Sequence, residues 1–133
     1  MRKYARDIEV INDGGIYATT INLGNHILTG DEPEKAGGKD HGPASHQFLL
    51  TSLGNCIAIT VRMYANRKQW DLKKITVHLN MENVREGTDE KNVIYKKVFL
   101  EGDLTDEQRE RLLFISGKCP IHKLLTGKIE IHS

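Results

Sequence analysis

The sequence predicts an α+β fold in which antiparallel strands surround one long, buried central helix. Strand-like segments fall into two groups, one in the first 30 residues and one over residues 73–102. Residues 45 to about 67 separate the groups and read as one helix. Because the strands are grouped as hairpins and do not alternate singly with helices, the pattern favours an α+β over an α/β arrangement.

The first group of strands begins with a hairpin. The segments YARDIEVI, residues 4–11, and GIYATTINL, residues 15–23, flank an Asn-Asp-Gly-Gly turn. Residues 25–28 predict a short third strand. The loop that follows, residues 31–43, is rich in glycine, proline and charge, and loops of that length are often functional.

The central helix predicts an oligomer. After Pro43, Ser45 can cap its start, and its length would be about 34 Å, whereas a compact chain of this size has a radius of gyration near 14 Å. Apolar side chains point in almost every direction around it, and only Thr51, Asn55 and Arg62 form a polar stripe. A helix of this kind is buried on nearly all sides, which we expect a homodimer to achieve.

The second group of strands completes the predicted domain. Residues 73–84 alternate apolar and polar side chains and pair with residues 92–102 across a polar turn at 85–91. A capping box at Thr105 starts a helix that runs to about Lys118.

The C-terminal part of the chain predicts two further short elements. A helix begins at Pro120 and ends near Gly127, and the segment KIEIH, residues 128–132, closes the chain as a strand. Residues 1–133 therefore read as a single domain.

Composition excludes several classes of function. The chain has 133 residues with 19 Lys and Arg against 18 Asp and Glu, a net charge of +1, which argues against a nucleic-acid partner. We expect no membrane partner, because no stretch reads as about 18 uninterrupted apolar residues. The first ten residues lack an apolar core typical of a secretory signal, so the expected location is cytoplasmic.

Two cysteines are the candidates for chemistry, although free cysteines are often only small core residues. Cys119 directly precedes Pro120, where the start of a helix would favour the thiolate. Cys56 lies inside the long helix, where apolar neighbours disfavour charge, so as a nucleophile it needs a hydrogen-bond donor or a cation from elsewhere. Those neighbours on the helical wheel are Leu49, Leu53, Ile59 and Met63.

The histidines and glycines do not form a recognisable cofactor motif. Six histidines are present, but the sequence has no Cys-x-x-Cys, His-Glu-x-x-His or His-x-x-x-His spacing, and Cys119-x-x-His122 is half of a zinc pattern without its partner half, so we expect no metal. The glycines of AGGKDHGP lack the strand-to-helix context and the Gly-Lys-Ser/Thr of a phosphate-binding loop.

From about His26 to its C-terminus, the chain resembles the OsmC/Ohr-like family of osmotically inducible and organic-hydroperoxide-resistance proteins. The resemblance is carried by HGPASHQFLLTSLGNCIAITVRMYANRKQW, by KKITVHLN and by LTDEQRERLLFISGKCPIHKLLTG. It implies an intertwined homodimer in which two central helices lie back to back, wrapped by strands of both chains.

The best-known members of that family are thiol peroxidases. By position, Cys56 corresponds to the peroxidatic thiol and Cys119 to the resolving thiol, and the resemblance implies an organic hydroperoxide substrate, an external dithiol reductant and no metal or organic cofactor. Active members pair an Arg with a Glu near the reactive sulfur. Gln47 stands at the Glu position, and Arg2 and Arg6 lie too early to match the Arg.

One more position resembles the family. His26 stands where an uncharacterised branch carries His, and its alternative interpretation is a strand residue that faces solvent. Three hypotheses follow for the protein: a thiol peroxidase, a dimeric protein that binds a small apolar ligand, and a protein whose two cysteines are structural.

Overall fold

Three short antiparallel strands begin the part of the chain that is described, residues 7–133 of a computed structural model. They are β1 (Glu9–Ile11), β2 (Thr19–Leu23) and β3 (His26–Gly30), in spatial order β1-β2-β3. The predicted antiparallel pairing of the hairpin and the third strand are confirmed. The hairpin strands are shorter than predicted, because residues 7, 8 and 15–18 are not in strand and the connection spans residues 12–18 instead of a four-residue turn. Residues 4–6 of the predicted first strand lie outside the described residues. These strands belong to the first of two compact units, Met1–Leu49 and Leu50–Ser133, called here the N-terminal and C-terminal units.

The C-terminal unit contains a long two-stranded antiparallel sheet. Strands β4 (Asp71–Glu86) and β5 (Asp89–Asp103) pair along their whole length, with Glu86 opposite Asp89. The predicted seven-residue turn is therefore wrong. Only two residues connect the strands, and Gly87 takes the positive φ of 62° that such a tight turn requires. The polar residues flanking it were misread as a loop because they are strand residues exposed to water on both faces.

The long helix is confirmed as α1 (Ser45–Lys68). Its buried side chains recur at every fourth position and form one face: Leu53, Ile57, Val61 and Ala65. The expected burial on nearly all sides is not found within one chain, since Ile59 is 50 % and Met63 66 % exposed. One chain supplies enough apolar surface to cover a single helix face.

Helix α1 also departs from the expectation that no stretch could span a membrane. By length and composition alone it is long and apolar enough to do so. Core helices of soluble proteins meet the same criterion, and the buried face of α1 is part of the hydrophobic core of the C-terminal unit.

Two short helices follow the sheet as predicted. Helix α2 (Asp106–Ser116) starts at the predicted capping box, in which Thr105 and Gln108 bond each other's backbone N–H groups. Helix α3 (Pro120–Leu125) begins at proline. Proline lacks a backbone N–H, which costs no hydrogen bond at this position because the first N–H groups of a helix have no acceptor within the helix.

The predicted C-terminal strand at residues 128–132 is wrong, because this segment has no regular secondary structure. Its alternating pattern suits a strand, but in the described chain it has no neighbouring strand. Ile131 is 93 % exposed. Alternation specifies a face and cannot supply the pairing edge that a strand needs.

Asp31 organises the predicted loop at residues 31–43. Its carboxylate accepts the backbone N–H groups of Glu32 at 2.7 Å and His41 at 3.1 Å, and its own N–H donates to the carbonyl of Pro43 at 3.1 Å. These bonds join the two ends of the loop. The bond from His41, followed by that from Glu32, holds the pKa of Asp31 below its ordinary value.

We predict that Asp31→Asn lowers the free energy of unfolding at neutral pH. Because the pKa is depressed in the folded state, the carboxylate stabilises the fold above its unfolded pKa of about 3.9, and this contribution disappears as pH falls through the folded pKa. Urea unfolding at pH 7 and at successively lower pH measures the difference from the wild type, which should shrink in acid. Asp40→Asn, an exposed change in the same loop, is the matched control, and equal effects of both changes would contradict this role.

Candidate functional site: two thiols in the core

The structure brings the two cysteines together in the core of the C-terminal unit. Cys119 is fully buried, with 0 % of its surface exposed, in a cluster that includes Leu53 and Ile57 of α1. Cys56 is half-buried and packs against that cluster. Both are free thiols. Sequence analysis selected both residues, and the fold makes them neighbours although 63 positions separate them.

Close packing of α1 on the sheet places Cys56. Gly54, two residues before it, lies against β4, where an added Cβ would stand 2.6 Å from Cδ1 of Leu79. A larger residue at Gly54 would require that side chain to move, so the glycine of the Leu-Gly-Asn-Cys motif allows close approach of the helix.

Contacts of α2 with the sheet fix the position of Cys119. The Arg109 guanidinium of α2 donates to the carbonyls of Leu100 and Gly102 at 2.8 and 3.0 Å, which joins the helix to β5. Lys96 donates its ammonium to the carbonyl of Ser116 at 3.3 Å. Cys119 follows as the N-cap of α3, directed into the core.

The environment of Cys119 reverses an expectation. Its sulfur accepts the backbone N–H of His122 at 3.2 Å, as a helix cap should, and this bond favours the thiolate. Burial nevertheless raises the pKa of Cys119, and the nearby thiol of Cys56 raises it further. The prediction that the helix start favours the thiolate of Cys119 is therefore wrong. Desolvation outweighs the hydrogen bonds, and Cys119 holds its proton at neutral pH.

A hydroxyl one helical turn away is the polar partner of Cys56. The Oγ1 atom of Thr60 lies 4.0 Å from the Cys56 sulfur, on the same face of α1. Thr60 is a residue of the kind that Cys56 was predicted to need, a hydrogen-bond donor, although the prediction did not name it. The signal was available, since side chains four positions apart on a helix are neighbours.

The other two predicted site residues belong to the N-terminal unit. The Oε1 atom of Gln47 accepts the backbone N–H of Ala44 at 2.9 Å, so Gln47 caps the start of α1. The helix begins at Ser45 itself, so the predicted cap by the Ser45 side chain is wrong. His26 is exposed at the first position of β3, opposite Leu23.

One arginine of α1, Arg62, is bonded to backbone oxygens. Arg62 donates to the carbonyl of Leu72 and, at 3.3 Å, to that of Lys73, which joins the helix to the first residues of β4. Arg2 and Arg6 lie outside the described residues. Over residues 7–133, no three His, Cys, Asp or Glu side chains come together as metal ligands would.

Each unit also contains a pocket of its own. The larger, of about 540 Å³, lies in the N-terminal unit, with largely apolar walls that include Tyr17, Ile21, Leu28 and Phe48. The smaller, of about 240 Å³, lies in the C-terminal unit. Its lining is mixed: Leu53, Asn92, Ile94, Lys96, His122, Leu125 and Thr126.

Comparison with known proteins identifies the family. The model of the OsmC-like protein family matches residues 37–133, so the chain belongs to the OsmC-like family. No curated protein matches it.

Solved structures share the fold. An OsmC-like protein from Mycoplasma pneumoniae is 22 % identical, with a TM-score of 0.76, covering 96 % of this chain and 90 % of that one. The organic hydroperoxide resistance protein OsmC from Legionella pneumophila is 16 % identical, with a TM-score of 0.70 and coverage of 96 % and 93 %. The organic hydroperoxide resistance protein OhrB of Bacillus subtilis is 16 % identical, with a TM-score of 0.65 and coverage of 93 % and 92 %. The predicted α+β, OsmC/Ohr-like fold is confirmed.

We predict that the Thr60 hydroxyl increases the reactivity of Cys56. Thr60→Val removes the hydrogen-bonding group at nearly constant shape. Because such a bond contributes about 0.5–1.5 kcal/mol, its loss should slow the reaction of Cys56 with iodoacetamide roughly two- to tenfold. The rate is measured in a Cys119→Ser background, where Cys56 is the sole thiol. Thr60→Ser retains the hydroxyl and should react as the parent does, and equal rates for the valine and serine variants would exclude this role.

Proposed function

We propose that the protein is a thiol peroxidase that reduces organic hydroperoxides, with Cys56 as the peroxidatic thiol and Cys119 as the resolving thiol. The observation that carries the proposal is the packing of a fully buried Cys119, whose pKa is raised by burial, against a half-buried Cys56. A purely structural pair would need neither unequal access nor a polar partner for Cys56. Membership of the OsmC-like family supports the same assignment.

The chemistry needs two steps on the protein. The Cys56 thiolate attacks the O–O bond of the hydroperoxide, forming a sulfenic acid and releasing the alcohol after protonation. The Cys119 sulfur then attacks the sulfenic sulfur, and its proton leaves with the hydroxyl as water, which yields the disulfide. An external dithiol restores both thiols. No step requires a metal or an organic cofactor, and a reducing compartment such as the cytoplasm would keep both thiols free.

In the described C-terminal unit, stabilisation of the Cys56 thiolate comes from an uncharged group. The Thr60 hydroxyl is the polar group in contact with its sulfur, and Arg62 is engaged by backbone carbonyls. Thiolate stabilisation by one hydroxyl is weaker than stabilisation by a guanidinium. We therefore propose a slower peroxidase than one with an Arg–Glu pair.

We further propose that the working form is a homodimer that covers the exposed face of α1. Ile59 and Met63 are exposed apolar side chains on the same side of the helix, less than two turns apart. A second copy of the same helix presents a matching apolar surface, and the intertwined dimer implied by the family resemblance has its two central helices back to back.

We predict that Met63→Glu shifts the protein from dimer to monomer. A charge buried without a partner at an interface costs several kcal/mol, so the dissociation constant should rise about 100-fold or more. Sedimentation equilibrium over a range of concentrations measures it. Leu113→Glu adds the same charge at an exposed apolar site on α2 and is the matched control. A wild-type protein that sediments as a monomer would refute the dimer.

We predict that Cys56→Ser abolishes hydroperoxide consumption, because it removes the attacking sulfur. Cys119→Ser should consume one equivalent of cumene hydroperoxide, accumulate the Cys56 sulfenic acid and form no intramolecular disulfide. Mass spectrometry and peroxide assay follow both variants. The proposal is refuted if wild-type Cys56 stays reduced while a simple thiol in the same solution is oxidised faster.

A second candidate function is the binding of a small apolar ligand. The pocket of about 540 Å³ in the N-terminal unit favours it, because its volume is in the range of small-molecule sites and its walls are mainly apolar. The Cys56→Ser variant separates the candidates. After this change a binding protein would still bind a fluorescent apolar probe displaceable by a fatty alcohol, and its wild type would consume no hydroperoxide. A peroxidase would consume hydroperoxide as the wild type and lose that activity in the variant.

A further inference from the structure

The inner face of β5 carries one lysine in a row of apolar side chains. Ile94, Val98 and Leu100 lie on this face and pack against the core cluster of the C-terminal unit. Lys96 takes the position between Ile94 and Val98 and is half-buried there, whereas Lys97 lies on the opposite face and is exposed, as lysines usually are. Because withdrawing a charge from water is costly, a lysine on the core side of a sheet points to a use for its charge.

Hydrogen bonds within the chain use only part of the capacity of Lys96. Its ammonium donates to the carbonyl of Ser116 at 3.3 Å, at the last residue of α2, where a cation stabilises the helix end. An ammonium has three N–H donors. Over residues 7–133 this is the one hydrogen bond of the Lys96 side chain, and no carboxylate there forms an ion pair with it. Two donors and the positive charge are therefore available to a ligand.

Lys96 lines the pocket of about 240 Å³ in the C-terminal unit, and the polar residues beside it also offer donors. Nδ2 of Asn83 donates to Oδ1 of Asn92 at 3.1 Å, which engages the acceptor of Asn92 and leaves the N–H groups of its amide for another partner. His122 also lines the pocket, and its imidazole can donate a ring N–H. The lining that the structure describes contains no acidic residue. The polar part of this pocket therefore suits an anionic group.

The remaining wall of the same pocket is apolar and limits the size of the ligand. Leu53, Ile94 and Leu125 form that wall. The volume of about 240 Å³ is roughly eight times the 30 Å³ that one molecule occupies in liquid water, so it accommodates a ligand of about eight non-hydrogen atoms. A ligand that matches both walls combines an anionic head with a short aliphatic tail.

We propose that this pocket binds a small aliphatic carboxylate, whose head pairs with the Lys96 ammonium and whose tail packs against Leu53 and Leu125. One ammonium balances the single charge of a carboxylate, whereas a phosphate monoester carries about −1.5 to −2 at neutral pH. A bond between two charged groups is stronger than one to a neutral carbonyl, so the ligand adds a better acceptor than Ser116 alone provides. Neither cysteine lines the pocket, so the proposal stands or falls independently of the peroxidase.

The first test titrates the wild type with hexanoate, which has eight non-hydrogen atoms, and follows backbone amide resonances by NMR. We expect saturable shifts at Asn92, Lys96 and His122. Hexanamide has the same size without the charge, and acetate has the charge without the tail, so each should bind at least tenfold more weakly. Equal affinity for hexanoate and hexanamide overturns the proposal, as do shifts confined to the N-terminal pocket around Tyr17 and Phe48.

The second test replaces the lysine. Lys96→Met retains an unbranched side chain without the charge and should lower the affinity for hexanoate at least tenfold. Lys97→Met removes the same charge one residue away, on the opposite face of β5, and should bind as the wild type does. If Lys96 serves only to stabilise the end of α2, Lys96→Met lowers the free energy of unfolding in urea but leaves the affinity unchanged, and that result overturns the proposal. Should Lys96→Met fail to fold, the comparison of hexanoate with hexanamide on the wild type decides the question of charge.

Discussion

Burial of one face of α1 is the constraint on which the C-terminal unit depends. Leu53, Ile57, Val61 and Ala65 fill the space between the sheet and the two short helices, and each large aliphatic side chain in that position contributes about 1.5–3 kcal/mol. Because this face is continuous, the rotation of α1 about its axis is determined. Cys56 is then held at the edge of the core, partly exposed, beside a fully buried Cys119.

The same packing gives the two thiols different solvent access and different surroundings. Cys119 caps α3 and would be acidic in water, but burial raises its pKa and keeps it protonated. Cys56 keeps partial access and a hydroxyl partner in Thr60. A single arrangement thus provides a sulfur that can meet a substrate and a second sulfur that is protected from the solvent. Such a division suits a reaction in which one thiol attacks and the other resolves.

The elements that depend on local sequence were predictable. Strand-like segments around a turn identified the pairing of β1 with β2, alternation identified the central part of β4, and the capping box identified the start of α2. The errors occurred in elements whose structure depends on contacts with other segments of the chain. At the hairpin tip, five of the seven residues predicted as turn are strand, and residues 128–132 have the pattern of a strand but no strand beside them in the described chain. Burial of α1 was overestimated because one chain covers one face of it.

Sequence by itself determined the α+β class, the long apolar helix and the choice of Cys56 and Cys119, since helical periodicity, capping residues and motif resemblance are local properties of the chain. Only the tertiary structure decided that these cysteines meet, that Cys119 is the fully buried one with the raised pKa, and that Gln47 caps a helix. The physical reason is that desolvation and contact depend on what the rest of the chain packs around a residue. No spacing along the sequence specifies how much water a side chain loses.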